Sequence, residues 1–252
     1  MHRLSVAIIT RDEEDRIEAA IASVRELADE ILVLDSGSTD RTVQRAEAAG
    51  ARVVQLDWPG HVAQKNRALA MCSADWVLSI DADERLDEEL ARAVREALAD
   101  PGDRVGFELR RLSSWMGAPI RHGTWYPDRR LRLVRRERAR WEGLDPHDRL
   151  SVEGPTGSLG GHLLHFPYRS LGEHLAVIDR YTAIASRALA ESGVRAGPLD
   201  VLVRPVLHFV KAYLLKGGFR DGVRGLCLAW LGSCYVVLKW GRRYLGDPPG
   251  SP

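Results

Sequence analysis

The chain has 252 residues, 45% hydrophobic and 28% charged, enough to bury a full core; this excludes a disulfide miniprotein and a disordered tail. Three cysteines, Cys72, Cys227 and Cys234, form no C-x-x-C pair and leave one over, which suggests neither a zinc site nor a disulfide framework and fits a reducing, cytoplasmic compartment. The net charge of +1 hides an asymmetry: residues 1–100 carry 12 Lys and Arg against 21 Asp and Glu, and the rest carries 24 against 14, which points to a polyanionic partner for the back half.

In chain order, the apolar stretch Leu4 to Thr10 stops at charge, is too short for a signal peptide and reads as a first buried strand. Ile17, Ala20, Ile21, Val24 and Leu27 recur at helical spacing, with Glu13 to Asp15 expected in the first turn, where the macrodipole favours acids. A strand at Ile31–Leu34 leads to the polar loop Asp35-Ser36-Gly37-Ser38-Thr39-Asp40 and a helix carrying Val43, Ala46 and Ala49. A third strand at Val53–Leu56, a helix around Val62–Met71 and a strand from Trp76 to Ile80 follow; the last ends in Asp81-Ala82-Asp83-Glu84 before a helix marked by Leu86, Leu90, Val94 and Leu98. This alternation predicts βαβ units in a mostly parallel α/β sheet.

Ligands of such sheets bind beyond the carboxyl ends of the strands, the edge that Thr10, Asp35 and Asp81 occupy. Asp35 and Asp40 could equally cap a turn and a helix. Two carboxylates at i and i+2 after an apolar strand repel each other unless a cation lies between them, so Asp81 and Asp83 are candidates for a divalent metal and a nucleotide diphosphate. No G-x-G-x-x-G follows the first strand and no P-loop pattern occurs.

Val6 to Glu13, Asp35 to Thr42, Gln64-Lys65-Asn66, Asp81 to Glu84, His122 to Leu133 and Lys216 to Gly222 together resemble glycosyltransferase family 2, most closely its lipopolysaccharide-core β-glucosyltransferase-like branch. The resemblance implies a GT-A fold and transfer, with inversion, of a hexose such as glucose from a nucleotide diphosphate donor, most simply a UDP-sugar, with Mg2+ or Mn2+. It places Thr10, Glu13 and Asp35 at the nucleoside, Lys65 near it or the diphosphate, Asp81 by the ribose or the metal's shell, and Asp83 on the metal. Asp12 stands where the family often has Asn. An inverting transfer needs a base; in Asp145-Pro146-His147-Asp148 the resemblance points to Asp148, where the branch carries Glu. His165 matches a late-strand position that can supply a further metal ligand. Trp125, Tyr126 and Asp128 are candidates for an acceptor-sugar platform, against a plain reading as core aromatics in a bent loop.

Seven arginines between Arg129 and Arg140, with Leu131 and Leu133 alternating among them, read as a strand with one buried face, either a cradle for phosphates or a solvated edge strand that resists aggregation. A long helix through Leu171, Leu175, Ile178, Thr182, Ala185 and Leu189 is expected to pack on the sheet. Residues 204–243 interleave eight bases and one acid with aromatic and apolar side chains, the pattern of helices lying in a membrane interface, against a reading as a dimer interface or an ordinary helical subdomain. The uncharged run Gly225–Leu238, at 14 residues, is below the ~18–20 of a spanning helix.

The sequence thus predicts a catalytic domain over 1–195, divided into a nucleotide-sugar half (1–100) and an acceptor half with a packing helix (101–195), and a basic helical extension over 196–252. Its expected place is the cytoplasmic, inner face of the plasma membrane, attached peripherally to anionic lipid, with a lipopolysaccharide core or other lipid-linked saccharide as acceptor and no nucleic-acid partner. Two alternatives are a non-catalytic membrane- or saccharide-binding module of the same fold, and a haloacid-dehalogenase-like phosphohydrolase, whose D-x-D-x-[TV] motif is broken here by Arg85.

Overall fold

The computed structural model describes residues 2–144 and 147–246. They form two compact units, residues up to 111 with 128–165, and residues 112–127 with 166 onward.

The first unit opens with four β-strands alternating with helices: β1 (Leu4–Thr10), α1 (Ile17–Val24), β2 (Glu30–Asp35), α2 (Thr42–Ala48), β3 (Arg52–Gln55), α3 (His61–Met71) and β4 (Trp76–Asp81). The strands lie parallel in the order β3-β2-β1-β4. β1 is buried along nearly its whole length because helices cover both sheet faces. Register sets Thr10 opposite Asp35 and Ile9 opposite Asp81, so three chain ends of different sequence origin share one edge.

Beyond β4 the chain makes β5 (Glu84–Leu86), α4 (Glu88–Ala99), β6 (Gly106–Trp115), β7 (Ala118–Pro119) and β8 (Asp128–Arg135). It continues through β9 (Ala139–Leu144), β10 (His147–Val152), β11 (Thr156–Ser158) and β12 (Leu163–His165). β8 pairs antiparallel with β4 and β6, converting the parallel sheet into a mixed one. β9 and β10 form a separate two-stranded hairpin, and β12 pairs with β5 so that His165 stands opposite Glu84. α4 starts where Asp87 accepts a hydrogen bond from the Leu90 N–H at 2.8 Å, with Glu88 and Glu89 in its first turn. Gly161 lies against that turn with φ +76°, where a Cβ would meet the Leu90 nitrogen.

The second unit holds α5 (Leu171–Glu191), α6 (Pro198–Phe209) and α7 (Gly222–Leu245), joined after α6 by a π-turn and a 3-10 turn. Ser170 caps α5, Pro198 opens α6, and Gly246, with φ +69°, closes α7. Asp221 ties the loop 120–127 to the start of α7, accepting from the backbone N–H of His122 at 2.8 Å and facing its Nδ1 at 2.9 Å.

The structure corrects several local expectations. Glu13 to Asp15 precede α1, and the Glu13 carbonyl accepts the Arg16 and Ile17 N–H groups that open the helix. α5 groups with α6 and α7; its buried line is His174, Ile178 and Thr182, while Leu171 and Leu175 are exposed. β8 does not alternate cleanly, for Arg132, Leu133 and Val134 are all buried, because the strand lies inside the sheet and both faces must be filled. The run Gly218–Leu245 is, by length and composition alone, long and apolar enough to cross a membrane, since the charges that bound the uncharged run do not end the helix.

Candidate active site

The carboxyl edge of the sheet carries the predicted residues. Thr10 is buried and its Oγ1 has no hydrogen-bond partner. Asp35 is fully buried; its Oδ2 accepts from the N–H groups of Gly37 and Ser38 at 3.0 Å each, and Oδ1 accepts from the Ser38 hydroxyl, so it shapes its own turn. Glu13 is tied to Thr42 and Arg16, its N–H donating to Thr42 Oγ1 and its carboxylate 3.3 Å from the Arg16 guanidinium.

Lys65 is brought to this edge by α3. Its side chain is only 6% exposed, yet its ammonium lies 3.2 Å from Asp81 Oδ1 and 2.8 Å from Asp148 Oδ2, with the Trp141 ring 4.5 Å away. Buried charges of opposite sign at these distances hold each other in place. The neighbouring Asn66 fixes the hairpin that carries Asp148: its Nδ2 donates to the Trp141 carbonyl at 2.9 Å and its Oδ1 accepts from the Trp141 N–H at 3.0 Å. Asp148 lies on β10, while Asp145 and Pro146, quoted with it as a segment, fall outside the described residues.

Asp81 also accepts from Arg132 Nη2 at 3.1 Å. Burial pushes the Asp81 carboxyl up, but Lys65 and Arg132 outweigh it and hold the group well below the usual carboxylate range. Arg132 in turn meets Glu84 at 3.2 Å, and the fully buried Glu84 accepts the Asp81 N–H at 3.0 Å and a weaker bond from Arg111 at 3.4 Å. Burial opposes the charge on Arg132, yet Glu84 and Asp81 outweigh it and keep the guanidinium protonated. Its Nε and Nη1 are buried without hydrogen-bond partners.

Asp83 and His165 meet at 3.4 Å between Oδ2 and Nε2, each partly open to solvent. Among the described residues no third His, Cys, Asp or Glu completes a cage. One carboxylate and one imidazole with room for phosphate oxygens and water fit a Mg2+ or Mn2+ held jointly with a diphosphate, and the unpartnered Thr10 hydroxyl fits a bound nucleoside.

The three acceptor candidates do not fall in one unit. Asp128 is taken up by Arg111 at 2.7 Å and Arg130 at 2.8 Å in the sheet unit. Trp125 and Tyr126 belong to the helical unit, where Trp125 lies near His174 and Tyr168. Of the seven arginines, Arg132 turns into the site, while Arg129 donates to Ser158 and Arg135 lies over Trp76. Sequence reasoning missed Glu84, Arg111 and Trp141 as parts of this network, although Glu84 follows the paired acids directly.

Residues 5–152, well over half the chain, match the family model described as Glycosyl transferase family 2. The chain belongs to this family. Over 248 residues it is 33% identical to the lipopolysaccharide core biosynthesis glycosyltransferase LpsC of Rhizobium meliloti, covering 96% of this chain and 92% of that one. It is 53% identical over 235 residues to an uncharacterized glycosyltransferase of Rickettsia bellii, covering 88% of this chain and 80% of the other. Among solved structures, glucosyl-3-phosphoglycerate synthase from Mycobacterium tuberculosis in complex with Mn2+, UDP and glucosyl-3-phosphoglycerate is 23% identical, covers 78% of this chain and 82% of that one, and has a TM-score of 0.49. The protein is a glycosyltransferase, and its mixed sheet flanked by helices is the GT-A arrangement. The family match covers the Lys65, Asp81, Asp83 and Asp148 positions and stops before His165 and the helices α5 to α7.

Proposed function

We propose that this glycosyltransferase moves a hexose, glucose being the simplest case, from a UDP-sugar to a lipopolysaccharide core or another lipid-linked saccharide, with inversion at the anomeric carbon. The observation that carries the reading is the convergence, on one sheet edge, of Asp83 with His165 and of Lys65 with Asp148. In this scheme Thr10, Glu13 and Asp35 line the nucleoside side, Asp81 lies by the ribose, and Lys65 faces the diphosphate. Asp83 and His165 would hold a Mg2+ or Mn2+, which supplies positive charge to the departing diphosphate when bound. Asp148 takes the proton of the acceptor hydroxyl as its oxygen bonds to the anomeric carbon; the bond from that carbon to the diphosphate oxygen breaks, and the nucleoside diphosphate leaves with the electron pair.

The catalytic assignment covers residues 1–195 and surface attachment residues 196–252. α6, the turns after it and α7 expose Leu199, Leu202, Val206, Leu215, Phe219, Val223 and Trp230 among bases that include Lys211, Lys216 and Arg220. Such a surface suits peripheral attachment to an anionic leaflet, each base contributing about 1 kcal/mol near the lipid. α7 packs on α5 and α6, its Ser233 hydroxyl donating to the Pro205 carbonyl at 3.0 Å, while Arg224, Lys239, Arg242 and Arg243 along it suit a helix lying at an anionic surface. The three free cysteines fit the cytoplasmic face.

The test is a panel of UDP-, GDP-, CDP- and dTDP-sugars with Mn2+ or Mg2+, read first as thermal stabilisation of the protein and then as donor hydrolysis. Metal-dependent stabilisation by a UDP-sugar, lost in Asp83→Asn, supports the reading. Lack of response to every nucleotide sugar overturns it and favours a saccharide-binding module.

A further inference from the structure

Lys65 joins two carboxylates that the proposed reaction uses differently. Asp81 has a second hydrogen-bonded cation in Arg132 at 3.1 Å, so it stays compensated if Lys65 moves. Asp148, on the separate β9–β10 hairpin, is held to the sheet edge by the Lys65 ammonium at 2.8 Å. An oxygen that accepts from the Lys65 ammonium is not free to take the proton of an incoming hydroxyl. Lysine's charge sits on a flexible stem with rotatable donors, so it can change partners without moving its backbone. A diphosphate offers that ammonium more negative charge than one carboxylate does.

We propose that Lys65 is an ion-pair exchange switch: without donor it neutralises Asp148, and the donor's diphosphate takes the ammonium over, leaving Asp148 unpaired as a base only when the donor is in place. The inference rests on the reading of Asp148 as the base of sugar transfer. It keeps the base occupied in the empty enzyme. The cation–π contact with Trp141 gives the ammonium a fixed footing while its carboxylate partner is exchanged.

The switch predicts that Asp148 competes with the diphosphate for Lys65. Calorimetric titration with UDP, and with GDP, CDP and dTDP in parallel, is made in Mn2+ on the full chain. Asp148→Asn, which has nearly the same shape, is expected to bind the diphosphate about fivefold more tightly, the coupling usual for one partly buried ion pair. Lys65→Met is expected to bind it about tenfold more weakly, and in that background Asp148→Asn changes affinity by less than about twofold. Uridine, which has no phosphate, serves as control and binds all four proteins alike. Asp148→Ser removes the same charge with a smaller side chain and must tighten binding as well, which separates the effect from a disturbed hairpin. Unchanged or weaker binding by both Asp148 variants overturns the switch. Equal tightening in the Lys65→Met background also overturns it, since that is plain charge repulsion. If the unaltered protein binds none of the four diphosphates, the sugar-transfer reading falls and the switch with it.

Discussion

Lys65 Nζ and Asp148 Oδ2 lie 2.8 Å apart although 83 positions separate the residues. The contact depends on Asn66, which matches both backbone groups of Trp141 with its side-chain amide and so presses the hairpin against α3. The helix that carries the cation also places the carboxylate it meets.

Asn66→Ala therefore removes two hydrogen bonds at a half-buried site. The expected cost is about 1–2 kcal/mol of stability. With Asp148 as the proposed base, transfer should fall through a lower kcat more than through a higher KM for the donor, because Asp148 is displaced while the sheet edge stays intact. Thermal melts and steady-state kinetics on the same preparation check this.

Replacing Arg132 by Met leaves Glu84 fully buried and strips Asp81 of one of its two cations. Removing one partner of such a network costs about 3–5 kcal/mol. A denaturant titration should show that loss, with much of it recovered in Arg132→Met combined with Glu84→Gln, where the buried charge left with only the 3.4 Å contact to Arg111 is gone.

His174 makes stability pH-dependent in the helical unit. It accepts the Trp115 indole N–H at 3.1 Å and stacks on Tyr168 at 4.0 Å. Burial lowers its pKa from 6.5 to about 4. Since the unfolded chain binds the proton first, this contribution is whole above pH 6.5 and is lost as pH falls toward 4. Between pH 7 and 5.5 the loss should be on the order of 1 kcal/mol. Thermal melts across that range should flatten in His174→Leu.

Attachment to membranes is checked by sedimentation with vesicles containing anionic lipid. Leu202→Glu combined with Leu215→Glu places two charges on side chains that are 67% and 78% exposed, so folding should be unaffected. The bound fraction should drop severalfold, each buried acid opposing the hydrophobic and electrostatic terms together.

The parallel half of the sheet was legible because β1 to β4 are apolar runs separated by helices with three- and four-residue periodicity. The acids at strand ends were legible for the same reason, since a strand's last residue marks the ligand edge. The short strand β5 was not foreseen: three residues carry no period, and Leu86 reads equally well as the start of α4. Arg132 was misread because strand alternation sends it to the opposite side from Leu131 and Leu133, which means solvent only when one face is bare. Here both faces are covered, and Glu84 and Asp81 compensate the charge. The pairing of Asp148 with Lys65 leaves no trace in local sequence; it exists only once α3 and the hairpin are docked.

The β9–β10 hairpin is a sheet of its own, docked on the rest of its unit by the buried Trp141 and Leu150, the side chain of Asn66 and the ion pair of Lys65. A length change or a rebuilt tip there would re-aim Asp148 while leaving the register of β1, β2 and β4 untouched. On the proposed reading of Asp148 as base, the hydroxyl that is deprotonated can diverge between relatives independently of the nucleotide, and exchanging this one hairpin between homologues becomes a route to new linkages.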